Sequence, residues 1–324
     1  MSTATPVPET WDLDGDDARE ALRSIDARDM VRDTVARLRW ADGFSHARAT
    51  AFQLVLTLIP GTVVLVAIAA RLQWSSLNDA LLRSIESVAP GPSSQTFHDA
   101  FERGVHAGDA GNWTAIGLGG VALLVSGTTA FGQVERACNR IYGVERDRRS
   151  FDKYRRAFLM MLSAGTLLTA YFAAIGLGSG WGTSSSSGAH WWWAVGRWPL
   201  GALCLAAAIT VIFHAAPKRR QPAWSWLMVG TLLAIAGVVL VSLLLAAYLQ
   251  ASSSFGETYG PLAGVLGLLL WSYLASLATY AGLAFAAQLE AVRAGVPTPQ
   301  SEQKVDAGEP DTTVVPYGAA LHRS

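Results

Sequence analysis

From Ala157 to Leu289 the sequence has almost no charge: Arg197, Lys218, Arg219, Arg220 and Glu257 are the only formal charges in that stretch. Over all 324 residues charged side chains reach 15%, where a soluble domain carries roughly 25%. A soluble globule is excluded, and a 51% hydrophobic content excludes a disordered chain. Lys and Arg number 25, as do Asp and Glu, so no basic excess exists and nucleic acid is not an expected partner. Cysteine is scarce too. Cys138 and Cys204 cannot build a disulfide framework or a thiolate metal site. His46, His98, His106, His190, His214 and His322 are scattered, with no pair at zinc-ligand spacing and no carboxylate cluster beside them. Neither G-x-S-x-G nor G-x-x-x-x-G-K-[ST] occurs. No enzymatic chemistry, metal or cofactor is expected. No Asp or Glu stands at the centre of an apolar run, as a proton-driven antiporter would require. Residues 1–20 carry Glu9, Asp12, Asp14, Asp16 and Asp17 without an early basic stretch, so membrane entry is expected from internal spans and not a signal peptide.

What the chain has in abundance is long apolar runs. A bilayer core needs about 20 such residues per helix. Six runs qualify: 47–70, 113–132, 158–178, 198–216, 224–248 and 260–289. Their length excludes strands of a membrane barrel, which alternate over about 10 residues. Basic residues sort with them. Up to the start of the first run (through Arg48), between the second and third, between the fourth and fifth, and after the sixth stand 21 of the 25 Lys and Arg. The other connections hold only Arg71, Arg83, Arg103 and Arg197. By the positive-inside rule, both termini are expected in the cytoplasm. Trp181, Trp191, Trp192, Trp193 and Trp198 would mark the outer headgroup level, and Trp224 and Trp226 the inner.

The fold class expected is all-α: a polytopic bundle of six transmembrane helices with a short extracytoplasmic helical cap. The cap is read from the stripe Leu77, Leu81, Leu82, Ile85 and Val88, broken by Pro90-Gly91-Pro92, and the stripe Phe97, Phe101 and Val105. Three parts follow: an N-terminal polar and amphipathic segment (1–29), a membrane domain (30–296) and a disordered cytoplasmic tail (297–324). Residues 1–12 are expected to be disordered as well. Residues 17–40 read as one amphipathic surface helix with Leu22, Ile25, Val31, Val35 and Leu38 on its apolar side.

Three places could carry function. In the first run, Pro60 removes a backbone hydrogen bond and frees the Leu56 carbonyl. Gln53 and Thr57 nearby can supply donors, so the span should bend with its polar side turned into the bundle. Past the second run, Glu135 with Asn139 and Arg136 with Arg140 pair at i, i+4 on a helix leaving along the inner surface. Its arginines are expected to meet anionic headgroups. At the start of the sixth run, Tyr259, Gly260 and Pro261 precede Gly264, a spacing suited to close helix packing. The remaining Ser and Thr in the spans are expected to bond back to their own helix or to join helices.

Several segments together resemble a known family. They are Ala49-Thr50-Ala51-Phe52 with Leu58-Ile59-Pro60, the run Glu135 to Val144, His214-Ala215-Ala216-Pro217, Tyr259-Gly260-Pro261-Leu262, Leu270-Trp271-Ser272-Tyr273, Gly282 and Gln288-Leu289-Glu290-Ala291. The chain resembles the YihY / virulence factor BrkB family of bacterial inner-membrane proteins, often catalogued as ribonuclease BN-like. It departs from the family pattern at Cys138, usually Leu, and at Lys218, often Asn. The resemblance implies six spans, a link to envelope integrity and transport or flipping of a lipid-like substrate, with membrane lipids as partners. A non-catalytic membrane scaffold is the alternative, and a membrane ribonuclease the third reading, which the lack of a metal constellation opposes.

Overall fold

The computed structural model describes residues 4–71, 93–109, 113–144, 146, 148–177, 189–251 and 263–299. Among them nine helices follow in order: α1 Gly15–Ser24, α2 Ala27–Trp40, α3 Gly43–Arg71, α4 Ser93–Asp109, α5 Trp113–Ile141, α6 Ser150–Leu177, α7 Ala189–Ala215, α8 Trp224–Ala251 and α9 Ala263–Arg293. The chain is an all-α polytopic membrane bundle. By length and apolarity α3, α5, α7, α8 and α9 can each cross a bilayer. The remaining expected span falls on α6, 28 residues long, charged as far as Arg156 and apolar from Ala157 on.

The long helices close into a ring: α3 lies on α5, α5 on α6, α6 on α7, α7 on α8, α8 on α9, and α9 returns to α3. Exposed Leu118, Val121 and Val125 of α5 and Leu240, Leu243 and Leu244 of α8 give the bundle its apolar outer surface. Hydrophobic burial cannot drive association among helices already in lipid, so small residues and polar clips do it. Gly230 of α8 meets Gly282 of α9; a Cβ on Gly230 would lie 2.6 Å from the Gly282 carbonyl oxygen and 2.8 Å from Ala286 Cβ. Thr50 of α3 shares a 2.6 Å bond with Tyr280 of α9, Thr210 of α7 one of 3.0 Å with Thr231 of α8, and Trp271 of α9 donates to Ser242 of α8 at 3.1 Å. The Thr57, Thr62, Ser163, Thr169 and Thr279 hydroxyls instead donate to the carbonyl four residues back in their own helices.

One end of the ring gathers the N-terminal helices, the α5–α6 and α7–α8 connections and the end of α9; we call it the charged end. At the other end α4 covers α3 and α9, with Gly104 against Val63 and Val66. This is the second stripe of the expected cap; the first, at 77–88, lies outside the described residues.

Three expectations are corrected at the charged end. Residues 17–40 form two helices, because Asp26 caps a new one by accepting from Arg28 N at 2.9 Å. The buried face of α2 is Met30, Thr34, Arg37 and Leu38, while Val31 and Val35 point outward. Residues 4–12 are ordered: Val7 N donates to Tyr142 O at 3.1 Å and Thr5 N to Pro299 O at 3.0 Å. Trp226 is fully buried in the core and does not mark a headgroup level.

The contact between α8 and α9 leaves no room for a methyl group on either glycine. Gly230→Val should lower the thermal unfolding midpoint of the purified protein, overpacking costing about 1–3 kcal/mol. Gly120→Ala, whose Cβ would meet nothing within 4 Å, should leave it unchanged.

Candidate functional site

The site begins where α5 ends. Glu135 and Asn139 are four residues apart, share one face and are both fully buried. Arg136, the next residue, is exposed and Arg140 is half-buried. This segment is therefore the inward-turned end of a span and not a separate surface helix. It stops at Gly143, whose φ of +73° suits glycine. Val144 N closes the turn by donating to Asn139 O at 2.8 Å, and Gly143 N to Arg140 O at 3.1 Å. The N-terminal strap crosses here, and a Cβ on Gly143 would sit 2.6 Å from Pro6 Cα.

Glu135 holds the two basic-end connections together. Arg148 donates Nη1 to Glu135 Oε1 at 2.7 Å and to Ala216 O at 3.0 Å, and Nη2 to Pro217 O at 2.8 Å. Asn139 Oδ1 accepts from Lys218 N at 2.7 Å. The polar face of α5 thus grips the turn between α7 and α8.

The end of α9 supplies the other half. Gln288 and Glu290 are fully buried. Arg37, fully buried on α2, donates Nε to Gln288 Oε1 at 2.8 Å and Nη1 to Thr5 O at 3.1 Å and Ile141 O at 3.3 Å. Gln288 Nε2 donates to Pro297 O at 2.7 Å. The Arg219 guanidinium forks onto both Glu290 oxygens, and the Thr10 hydroxyl donates to the same carboxylate. Arg219 also lies over the Tyr142 ring, 4.6 Å from its centroid. Burial lowers Arg37 to about 10, which still leaves it cationic at neutral pH. Arg37 Nη2, Glu135 Oε2 and Tyr142 Oη are buried without a hydrogen-bond partner. The layer is thus strongly charged, and three of its buried polar atoms find no hydrogen-bond partner within the protein.

Beside this layer lies a cavity of about 610 Å³, lined by Arg148, Arg149, Asp152, Arg155, Arg156, Leu159 and Lys218. Burial, then the nearby Arg148, lowers the Arg156 pKa, and its Nη1 donates to Ala215 O at 3.3 Å.

Gln53, Thr57 and Pro60 lie half-buried along the unbroken α3 and do not join this cluster. Gln53 does turn inward, accepting from Thr129 of α5 at 3.3 Å. The Thr57 hydroxyl goes to Gln53 O at 2.8 Å instead of the Leu56 carbonyl. Gly61 faces Leu123 of α5. Tyr259, Gly260 and Pro261 lie outside the described residues. Among the described residues no three His, Cys, Asp or Glu side chains could share a metal ion. Sequence reasoning singled out Glu135 and Asn139 but missed Arg37, Arg148 and Arg219, since an arginine in a charged segment reads as solvated. The one signal was Gln288 and Glu290 at the very end of an apolar run.

Glu135 and Arg148 should behave as a buried pair. Arg148→Ala strands the carboxylate and should cost about 3–5 kcal/mol of stability, and the double change Glu135→Gln with Arg148→Met should recover most of it. Thermal unfolding of the wild type and the two variants checks this; a double variant no more stable than Arg148→Ala would count against the pairing.

Comparison with known proteins covers most of the chain. Residues 34–307 match the family described as Virulence factor BrkB. The ribonuclease-like protein YfkH of Bacillus subtilis (strain 168) is 25% identical over 255 residues, 76% of this chain and 90% of that protein. The UPF0761 membrane protein Smlt0865 of Stenotrophomonas maltophilia (strain K279a) is 27% identical over 267 residues, 77% of this chain. This chain spans 58% of that relative's length. No solved structure matches. With the family matched from the second helix past the end of the last, across both halves of the buried charge layer, the chain belongs to the virulence factor BrkB family of multi-pass membrane proteins.

Proposed function

We propose that this protein moves an amphipathic envelope component across the membrane, and that the layer of Arg37, Glu135, Arg148, Arg219, Gln288 and Glu290 is its gate. The supporting observation is the burial of two Arg–carboxylate pairs at one end of a ring of helices, Arg148 with Glu135 and Arg219 with Glu290. Apolar side chains would close that end at less cost in desolvation. Ion pairs add a barrier that can be broken and re-formed, and this set ties α2, α5, α9 and the α7–α8 turn to one another. A transporter needs such a closure; the protein needs no catalytic group for it, and we propose a non-enzymatic role.

The charged end faces the cytoplasm in this proposal, since 21 of the 25 Lys and Arg fall in segments on that side. In a background lacking Cys204, Arg19→Cys on α1 and His98→Cys on α4 should label from opposite sides of sealed vesicles. Labelling from the same side would overturn the orientation.

A scaffold is the second reading, favoured by the tight seating of α8 on α9 at Gly230 and Gly282. Purified protein in vesicles with a fluorescent phospholipid separates the two. A transporter should speed the loss of inner-leaflet fluorophore to an external quencher, and Glu290→Gln, which unlatches Arg219, should change that rate severalfold at equal insertion. A scaffold gives the protein-free rate for both proteins.

A further inference from the structure

We propose that the cavity between the start of α6 and the α7–α8 turn binds the phosphate group of an anionic lipid, through Arg149, Arg155 and Arg156. As a substrate assignment this rests on the transport reading above; as a binding site it stands alone.

Charge comes first. Five cationic side chains line the cavity against a single carboxylate, Asp152. Like charges within a Debye length of about 8–10 Å repel, and Arg149, Arg155 and Arg156 are all exposed, so an approaching anion can reach them. Asp152 offsets little, since it meets Arg155 at 3.9 Å with both side chains more than half exposed. Arg148 is committed to Glu135, Ala216 and Pro217 and forms a fixed wall. An anion would relieve the remaining repulsion. The cluster is rich in arginine, and the guanidinium fork suits phosphate oxygens better than a point charge does.

Apolar surface selects the source of the phosphate. Leu159 lines the cavity and is itself 56% exposed. Next to it on α6 run Phe151, Tyr154, Phe158 and Leu162, all exposed, at spacings of three and four. One face of α6 therefore offers an acyl chain a path, and the adjoining face offers its headgroup a cluster of cations. The cavity stands at the level where α6 passes from its charged first turns to its apolar length, which is the headgroup level of the adjacent leaflet. A free phosphate would use the arginines and leave the apolar path idle.

Full-length protein in detergent, titrated with phosphatidylglycerol, phosphatidylcholine and inorganic phosphate and read by native mass spectrometry and thermal unfolding, tests this. Phosphatidylglycerol should bind about tenfold more tightly than phosphatidylcholine, two arginines near the surface sufficing for such a ratio. The Arg149→Gln/Arg155→Gln protein should lose that preference while keeping its unfolding midpoint in detergent alone. Arg19→Gln/Arg23→Gln, which removes the same charge from α1, should keep it. Equal loss in both double variants, or loss in neither, would overturn the site. Displacement of phosphatidylglycerol by inorganic phosphate at similar concentration would overturn the lipid as its ligand. Selective binding with no lipid transfer in vesicles would uphold the site and reject the transport reading.

Discussion

The pairing of Arg219 with Glu290 at the end of α9 organises the charged end of the molecule. A carboxylate with no exposed surface survives only with a matched cation. Arg219 meets that need with both arms of its fork, and to do so the α7–α8 turn must lie against α9. Its remaining contacts follow from that position: the Tyr142 ring beneath it and Pro8 O at 2.9 Å. Those contacts pull the end of α5 and the N-terminal strap to the same point. Arg37 repeats the pattern one layer over, joining α2 to Gln288.

This layer gives the ring its asymmetry. Within the spans the helices are held by single polar clips and glycine contacts, each a modest term in lipid. At the charged end the helices are joined through groups whose loss leaves a buried charge. In the proposed transport reading, opening and closing by rearranged ion pairs would be concentrated at that end; the cationic cavity stands beside the layer, sharing Arg148 as a common wall.

Much of the membrane architecture was legible in the residues. Runs of some twenty apolar side chains have few stable forms in lipid other than helices, because every backbone group must be bonded internally. The gathering of basic connections anticipated that both described ends of the chain lie at the same end of the bundle. Glu135 and Asn139 could be placed on one face from spacing alone. The face could not be oriented: the sequence suggested a surface helix, and the structure turns both side chains inward while Arg136 remains outside. The register of α2 was misread for a related reason. Val31 and Val35 are the more apolar stripe, yet the face carrying Arg37 is the buried one, since only that orientation delivers a guanidinium to Gln288.

The sequence by itself determined that this chain crosses a membrane several times, where its helices run and which connections carry its charge. These are properties of single segments in a low-dielectric solvent, and composition and length decide them. Tertiary structure decided which charges are buried. Glu135 and Arg148 are 13 residues apart, Arg219 and Glu290 are 71 apart, and Arg37 and Gln288 are 251 apart. No local pattern distinguishes a solvated arginine from a buried one; the difference is whether a partner across the fold offsets its desolvation.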